Sequence, residues 1–458
     1  MTAWLATNKY AQTVLGGVRL APPNHAEVRP NSYTGDASIE YLSHNRPMGT
    51  NPPSLVEAQM LLLRLIDPGT RADPFPVYHA LLDHGPMQLP GMPLTVFSSF
   101  SDCDEALRHP LAASDRLKAT LAQQAIAAGA EPRPFYASSF MFLDPPDHTR
   151  LRKLVSKAFA PKVVQALEGD ITALVDSLLD KGAAAGQLDV IADLAFPLAV
   201  AVICRLLGVP YEDAPEFGRV SALLVQSVDP FITITGEPPE ATEERLRAGV
   251  WLRDYLEQLV KRRRGTPGDD LISRLIEVDE SGDQLTEEEI VATCSLLLVA
   301  GHETTVNLIA NAVLAMLRNP SQWKALGDNP QRAPLVVEET LRYDPAIHLI
   351  GRVAAEDMTI GQTALTKGDT MVLLLAAANR DPAVYSRPDE FDPDRPSSRH
   401  LAFAVGSHFC LGAALARLEA TVTLSAISAR FPQAQLAGEL VYKPNVAMRG
   451  MSALPVQV

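Results

Sequence analysis

Two stretches of this 458-residue chain place chemically able side chains in apolar surroundings. The first is FAVGSHFCLGAALARLEA, residues 403–420. Its Cys410 follows a loop containing Gly406 and precedes a helix expected to begin near Gly412. A thiol at a helix N-terminus faces free backbone N–H groups and the positive end of the dipole, which favours the thiolate, a strong metal ligand. Gly406 and Gly412 let the backbone approach a flat macrocycle without a Cβ in the way, and His408 adds a potential cation or donor. A lone buried cysteine is more often a small structural hydrophobe. The weight therefore rests on the whole string: Phe403, Gly406, His408, Cys410, Leu411, Gly412 and Ala416-Arg417. The second stretch is LLLVAGHETTVNLIA, residues 296–310. His302-Glu303 opens like the H-E-x-x-H helix of zinc proteases, but the second His would have to stand at Val306, so the zinc reading fails.

The pattern F-x-x-G-x-H-x-C-L-G resembles the haem-ligating loop of the cytochrome P450 family, with one departure: Ala404 stands where a second glycine usually follows the Phe. The resemblance runs from about Asp67 to Val458. It implies a mainly α, single-domain P450 fold with a small β component, enclosing haem b with Cys410 as axial thiolate and Gly412 beside it. AGHETT is similar to the family's oxygen-activation segment. Thr304 can bond the carbonyl of Ala300 four residues back and bend the helix, at a cost that Gly301 lowers. By the resemblance, Ala300 lies against the haem, Thr304 holds a water or the distal oxygen, and Glu303 relays protons from solvent, a general-acid role. His302 is read as a bystander.

Further assignments follow from the same resemblance. Glu339 and Arg342 in EETLRYDP share a helix face. The spacing alone is weak, since Glu105/Arg108, Glu216/Arg219 and Glu244/Arg247 repeat it. Their position between the oxygen helix and the haem loop singles out Glu339/Arg342, and Arg395 in FDPDR would complete a structural Glu-Arg-Arg cluster. His148 and Arg152 lie one turn apart and are expected on the haem propionates with Arg352 and His408. Arg150, Lys153 and Lys157, on roughly the opposite face, are expected to dock an acidic ferredoxin. The substrate pocket is expected from Leu296, Leu297, Ala300, Ile347, His348 and Ile350, with the loops RPFYASSFMF and LLVQSVDPFITITG nearby. These groups favour a lipid, terpenoid or steroid-like substrate. The implied reaction is oxygen insertion from O2, with electrons from NAD(P)H through a ferredoxin reductase and ferredoxin. No Gly-rich flavin or nicotinamide turn is seen, so the donor is separate. The rivals are a peroxide-driven peroxygenase and a non-catalytic haem-thiolate ligand sensor.

The elements that must position these residues are mostly helical. HTRLRKLVSKAF, VVQALEGDITALVDSLLDKG, ERLRAGVWLRDYLEQLVKRRR and DDLISRLIEV carry apolar residues at helical spacing. TEEEIVATCSLLLVAGHETTVNLIANAVLAMLRNP should form one long helix, capped by Thr286 with Glu289 and stopped at Asn319-Pro320. Strand-like segments (MTIGQTALTKGDTMVLLLA) come late. Residues 1–55, rich in Pro and Asn, read as an extended or mobile leader before a catalytic domain over 56–458.

Composition bounds the remaining possibilities. The chain is 47% hydrophobic and 21% charged, with 54 acidic against 40 basic residues and a net charge of −14. That balance argues against general nucleic-acid or anionic-membrane binding. Cys103, Cys204, Cys294 and Cys410 are scattered without C-x-x-C spacing, which speaks against a disulfide framework. The opening residues carry no basic-then-apolar signal pattern, and no run is expected to reach the ~18 apolar residues of a membrane span. LAFPLAVAVICRLLGVP is interrupted by Pro197 and Arg205. The expectation is a soluble, cytoplasmic monomer.

Overall fold

The capping signal at Thr286 does what its sequence suggests. Thr286 Oγ1 accepts from the Glu289 N–H at 3.2 Å while Glu289 Oε2 accepts from the Thr286 N–H at 2.8 Å. Two N–H groups left open by helix geometry are thereby satisfied. The 31-residue helix Glu287–Leu317 follows and stops before Asn319-Pro320. At 1.5 Å per residue it is roughly 46 Å long, enough to cross a domain. A computed structural model of the protein describes residues 55–89, 91–129, 139–225, 239–280, 282–396 and 399–458. Residues 1–54 of the expected leader, and parts of the two expected substrate loops (133–138 and 226–236), lie outside them.

Seven helices position the site: α1 (Asp147–Ala158), α2 (Phe196–Leu207), α3 (Ala214–Leu224), α4 (Pro239–Gly265), α5 (Glu287–Leu317), α6 (Ala333–Tyr343) and α7 (Ala413–Arg430). α5 is packed by α2, α3, α4, α6 and α7 and is buried on all sides between Ile290 and Met316, save Ala292, Ser295, Ala300, Gly301 and Thr304. A helix apolar all round belongs in a core. Its few polar side chains are therefore exceptions that need a reason.

Two expectations are corrected at the level of the fold. Val190–Leu207 and Glu287–Leu317 are long and apolar enough to span a bilayer, so such runs do exist, but 72% and 83% of their most apolar windows are buried within the protein. The β component also starts earlier than expected. The main sheet has the order β1-β2-β5-β4-β3, built from β1 (Met87–Gln88), β2 (Leu94–Phe97), β3 (Ala112–Ala113), β4 (Ile350–Ala354) and β5 (Thr370–Leu373). β5 pairs parallel with β2 and antiparallel with β4, placing Arg352 opposite Met371. The late segment does form strands, at Met358–Ile360, Thr363–Leu365 and β5.

The expected Glu-Arg-Arg cluster forms at the C-terminal end of α6. The Arg342 side chain is 1% exposed, and each of its five N–H groups has an acceptor. Nε and Nη2 donate to Glu339 Oε2 and Oε1 at 2.8 and 2.7 Å. Nη1 donates to the carbonyls of Asn379 and Pro388, and Nη2 also to Glu390. Arg395 Nε reaches Glu339 Oε1 at 3.5 Å, and the Asp392 N–H reaches it at 2.9 Å. The cluster ties α6 to the 379–395 segment that leads into the Cys410 loop. By contrast Glu216/Arg219, with the same spacing, is a pair on an exposed face.

Candidate functional site

Residues 401–412 form a tight loop ahead of α7. The Cys410 N–H donates to the Phe403 carbonyl at 2.9 Å, and the Ala404 N–H to Leu401 at 2.8 Å. Gly406 has φ +76°, and a Cβ there would meet the Leu107 carbonyl oxygen at 2.8 Å, so only glycine fits. Ala404 also sits at positive φ, +54°. A glycine would be at ease in that left-handed conformation, whereas alanine bears about 1–2 kcal/mol of strain. Arg417 lies 4.6 Å over the Phe403 ring and bonds Glu338 at 2.5 and 3.0 Å. Arg152 Nη2 donates to the Phe409 carbonyl at 2.6 Å. Burial pushes the Cys410 thiol up, while the N–H groups of Gly412 and Ala413 and the charges of Arg152 and Arg417 pull it down.

Cys410 opens onto one large cavity, of which about 310 Å³ is open to the centre of a water molecule. Gly412, with Leu415 and Ala416 of α7, lines one side, and Ala300, Gly301, Thr304 and Thr305 of α5 line the other. The threonine-to-carbonyl bonding read from AGHETT is present. Thr304 Oγ1 donates to the Ala300 carbonyl at 2.7 Å, and Thr305 Oγ1 to Gly301 at 2.9 Å. The expected apolar wall also assembles from Leu296, Leu297, Ala300, Ile347 and Ile350, joined by Phe140, Phe142 and Val225 from the described parts of the two loops.

One flank of the cavity is crowded with bases. His148 is 2% exposed, and neither ring nitrogen has a hydrogen-bond partner among the described residues. Its ring stacks on His408 with centroids 3.9 Å apart. Burial, then Arg352, His148 and Arg152, pushes the His408 pKa down to about 3. Buried Arg352 donates to the carbonyl of Gly351 at 2.9 Å, and burial followed by the charge of Arg116 lowers its pKa to about 10. The nearby carboxylate, Asp144, is committed to Lys118 at 2.7 Å and to the Ser114 N–H at 2.7 Å. Orphaned buried donors and mutually repelling cations fit a group that brings its own anions, as the two propionates of haem would. The thiol, the glycines beside it and the apolar opposite wall fit the rest of that group. Arg116, on the cavity wall, was not singled out from the sequence. Nothing in SDRLKA marks it, since its partners Arg352 and Phe142 are remote in the chain.

Three expected residues are placed differently. His348 leaves the pocket: its Nδ1 meets the Tyr78 hydroxyl at 2.7 Å and its Nε2 Asp344 at 3.4 Å. In an extended segment neighbouring side chains point to opposite sides, and Ile347 takes the cavity side. Arg150 is bound to Asp283 at 3.1 Å and to the capping Glu289, which removes it from the proposed docking patch; Lys153 and Lys157 are exposed. Glu303 is absent from the cavity wall. Its side chain is 7% exposed, and Oε1 accepts from Lys443 Nζ at 2.5 Å. Lys443 in turn lines a small polar cavity with Tyr78, His348, Tyr442 and Arg449, which holds about 10 Å³, roughly one water. His302 turns its Nδ1 to Ser221 Oγ of α3 at 3.2 Å and its ring onto Phe196, a contact between helices.

A long helix carrying the Thr304–Ala300 bond over a cysteine loop, with basic groups at the cavity's flank, defines a haem-thiolate pocket. Comparison with known proteins agrees: the family model described as Cytochrome P450 matches residues 109–436. Mycobacterium smegmatis CYP164A2, solved with econazole bound, is 60% identical with a TM-score of 0.82, covering 87% of this chain and 100% of that one. Cytochrome P450 107B1 of Saccharopolyspora erythraea is 40% identical over 375 residues, 80% of this chain and 90% of that protein. Vitamin D(3) 25-hydroxylase of Pseudonocardia autotrophica is 40% identical over 392 residues, 84% and 93% of the two chains. The chain belongs to the cytochrome P450 family, and is a monooxygenase whose cofactor is haem with a cysteine thiolate ligand.

Proposed function

We propose that this enzyme oxygenates a hydrophobic small molecule of lipid, terpenoid or steroid-like character, with haem b held on the Cys410 thiolate. The observation that carries the reading is the cavity itself, in which the thiol lies on one wall and Thr304 on the other, amid apolar side chains. His148, Arg152, Arg352 and His408, with Arg116 added, would hold the propionates; Ala300 and Gly412 would lie against the macrocycle. When bound, the haem supplies the redox chemistry that activates dioxygen.

The protein's own contribution is to place substrate and protons. Leu296, Leu297, Ile347 and Ile350 exclude water and orient the substrate by burial. Thr304 spends its hydroxyl proton on the Ala300 carbonyl, which leaves its oxygen lone pairs to accept from a cavity water. Glu303, on the far side of the helix, is supplied through Lys443 and the small polar cavity, and passes protons toward Thr304. An intact acid beside Thr304 favours use of dioxygen over peroxide, which already carries its protons. Electrons would come from NAD(P)H through a ferredoxin reductase and an acidic ferredoxin, with Lys153 and Lys157 in the docking surface. Residues 56–458 would be the catalytic unit, acting as a cytoplasmic monomer.

The test is to screen hydrophobic compounds for a shift of the haem absorption band, then assay the hits with NADPH and a surrogate reductase–ferredoxin pair. Product that depends on both protein donors supports the proposal. Product formed equally well with hydrogen peroxide alone would favour the peroxygenase reading. Ligand binding without turnover under either condition would favour a sensor.

A further inference from the structure

Tyr78 and His348 have no task in the scheme above beyond lining the small polar cavity. Tyr78 lies on the helix Phe75–His84, and His348 in the extended run that joins α6 to β4. Each is 2% exposed, and the Tyr78 hydroxyl meets His348 Nδ1 at 2.7 Å. The other ring nitrogen, Nε2, lies 3.4 Å from Asp344 Oδ1, and Arg449 Nε lies 2.8 Å from the same oxygen. A carboxylate beside an arginine only accepts, so the imidazole proton belongs on Nε2, and Nδ1 presents a bare lone pair to the phenol. Burial agrees with this: it raises the Tyr78 pKa above the usual phenol range and lowers that of His348 to about 4. The pair is a neutral phenol donating to a neutral base.

Such a pair is built to lose one electron. A buried phenol stripped of an electron alone would carry a positive charge with no solvent around it, which is costly. Here an acceptor for the proton is already in place, and the imidazolium that forms lies against Asp344, which offsets its charge. The pair also backs onto the haem pocket. Ile347 and Leu349, on either side of His348, line the large cavity, as does Ala447, whose carbonyl accepts from the His348 N–H at 2.8 Å. Two other tyrosine hydroxyls are placed differently. Tyr385 donates to the Arg399 carbonyl, which cannot take the proton, and Tyr255 donates to Asp213, away from the large cavity.

We propose that Tyr78 is an internal electron donor, oxidised by the haem centre when no substrate takes up its oxidising power, with His348 as the proton acceptor. One electron passes from the Tyr78 ring to the oxidised haem, and the hydroxyl proton passes to His348 Nδ1. The O–H bond breaks, an N–H bond forms, Tyr78 is left as a neutral phenoxyl radical, and the haem is reduced by one electron. The effect is to draw oxidising power off the haem before it damages the cavity wall. The inference needs haem on the Cys410 thiolate, but neither the identity of the substrate nor that of the electron donor. The test takes haem-loaded protein of confirmed thiolate spectrum, without substrate, mixes it with a peracid, freezes it rapidly and reads it by electron paramagnetic resonance. Wild type should give a tyrosyl signal that narrows when the protein carries ring-deuterated tyrosine. The signal should be lost in Tyr78→Phe, and also in His348→Gln, whose amide can hold the hydroxyl but cannot take its proton. Under hydrogen peroxide the haem absorbance should bleach faster in both variants than in wild type. Absence of a tyrosyl signal in wild type, or its survival in Tyr78→Phe, overturns the donor. Survival in His348→Gln, the result a merely structural hydrogen bond would give, overturns the proton acceptor. Bleaching at the wild-type rate in both variants overturns the protective role. If Tyr78→Phe fails to take up haem, His348→Gln decides. Failure of the haem-thiolate reading would show earlier, as a wild-type protein without the thiolate spectrum.

Discussion

Replacing Lys443 with methionine isolates the ion pair made by Glu303, the acid beside Thr304 on the oxygen helix. The partner, Glu303, has a side chain 7% exposed, while Lys443 is 34% exposed, and they meet at 2.5 Å. At an effective dielectric of about 20 the gross attraction at contact is a few kcal/mol. Dehydrating the carboxylate opposes most of it, so the pair's net worth is modest. Removing only the lysine is another matter, because the carboxylate stays buried without its cation. Breaking fully buried pairs costs about 3–5 kcal/mol; since Lys443 is one-third exposed and screened, we expect Lys443→Met to cost about 2 kcal/mol. Glu303→Gln should cost about 1 kcal/mol, because a surface-reaching ammonium can return to water. The double variant should then cost about 1–2 kcal/mol less than the sum of the singles. Equilibrium urea unfolding of the haem-loaded protein, followed by circular dichroism, measures all three. Additivity within about 0.5 kcal/mol would refute the coupling. Wild-type product per NAD(P)H in Lys443→Met would refute the proton path drawn through it.

Other outcomes follow from the same geometry. Thr304→Ala should retain haem yet divert reducing equivalents to hydrogen peroxide, lowering product per NAD(P)H about tenfold or more; unimpaired coupling would contradict its role. Arg342→Lys keeps the charge but cannot satisfy the carbonyls of Asn379, Pro388 and Glu390, so it should destabilise by about 3 kcal/mol or more and lower haem content on purification. His302 is held neutral by burial, with its pKa lowered to about 4 against an ordinary 6.5. The unfolded chain therefore binds the extra proton between these values, and stability that is full above pH 6.5 is lost as pH falls toward 4, by up to about 3 kcal/mol. Comparing His302→Phe with wild type in acid unfolding should reveal a shallower loss in the variant.

Much of the site was legible because its parts are local in sequence. The Cys410 loop, the Thr304–Ala300 bond, the Thr286 cap and the Glu339/Arg342 pair each span four to ten residues, where spacing determines contact. Even the strain at Ala404 shows as a departure from the expected glycine. What escaped depends on remote partners. Arg116 acquires its neighbourhood from β4 and Lys443 from α5, neither readable from helix periodicity. Arg150 was misread because the helix pattern gives its face but not the carboxylates of Asp283 and Glu289 that cover that face. His348 was misread because the side of an extended segment that faces the haem is set by tertiary pairing. The pairing of Leu94–Phe97 with Thr370–Leu373 is likewise invisible to any short window.

The ligand sulfur of Cys410 is the claim on which the rest depends. Purified protein of known haem content, reduced and exposed to carbon monoxide, should give the strongly red-shifted Soret band of a thiolate-ligated centre, and Cys410→Ala should lose it. A wild-type spectrum showing only the band of a nitrogen-ligated haem in a natively folded sample would contradict the account.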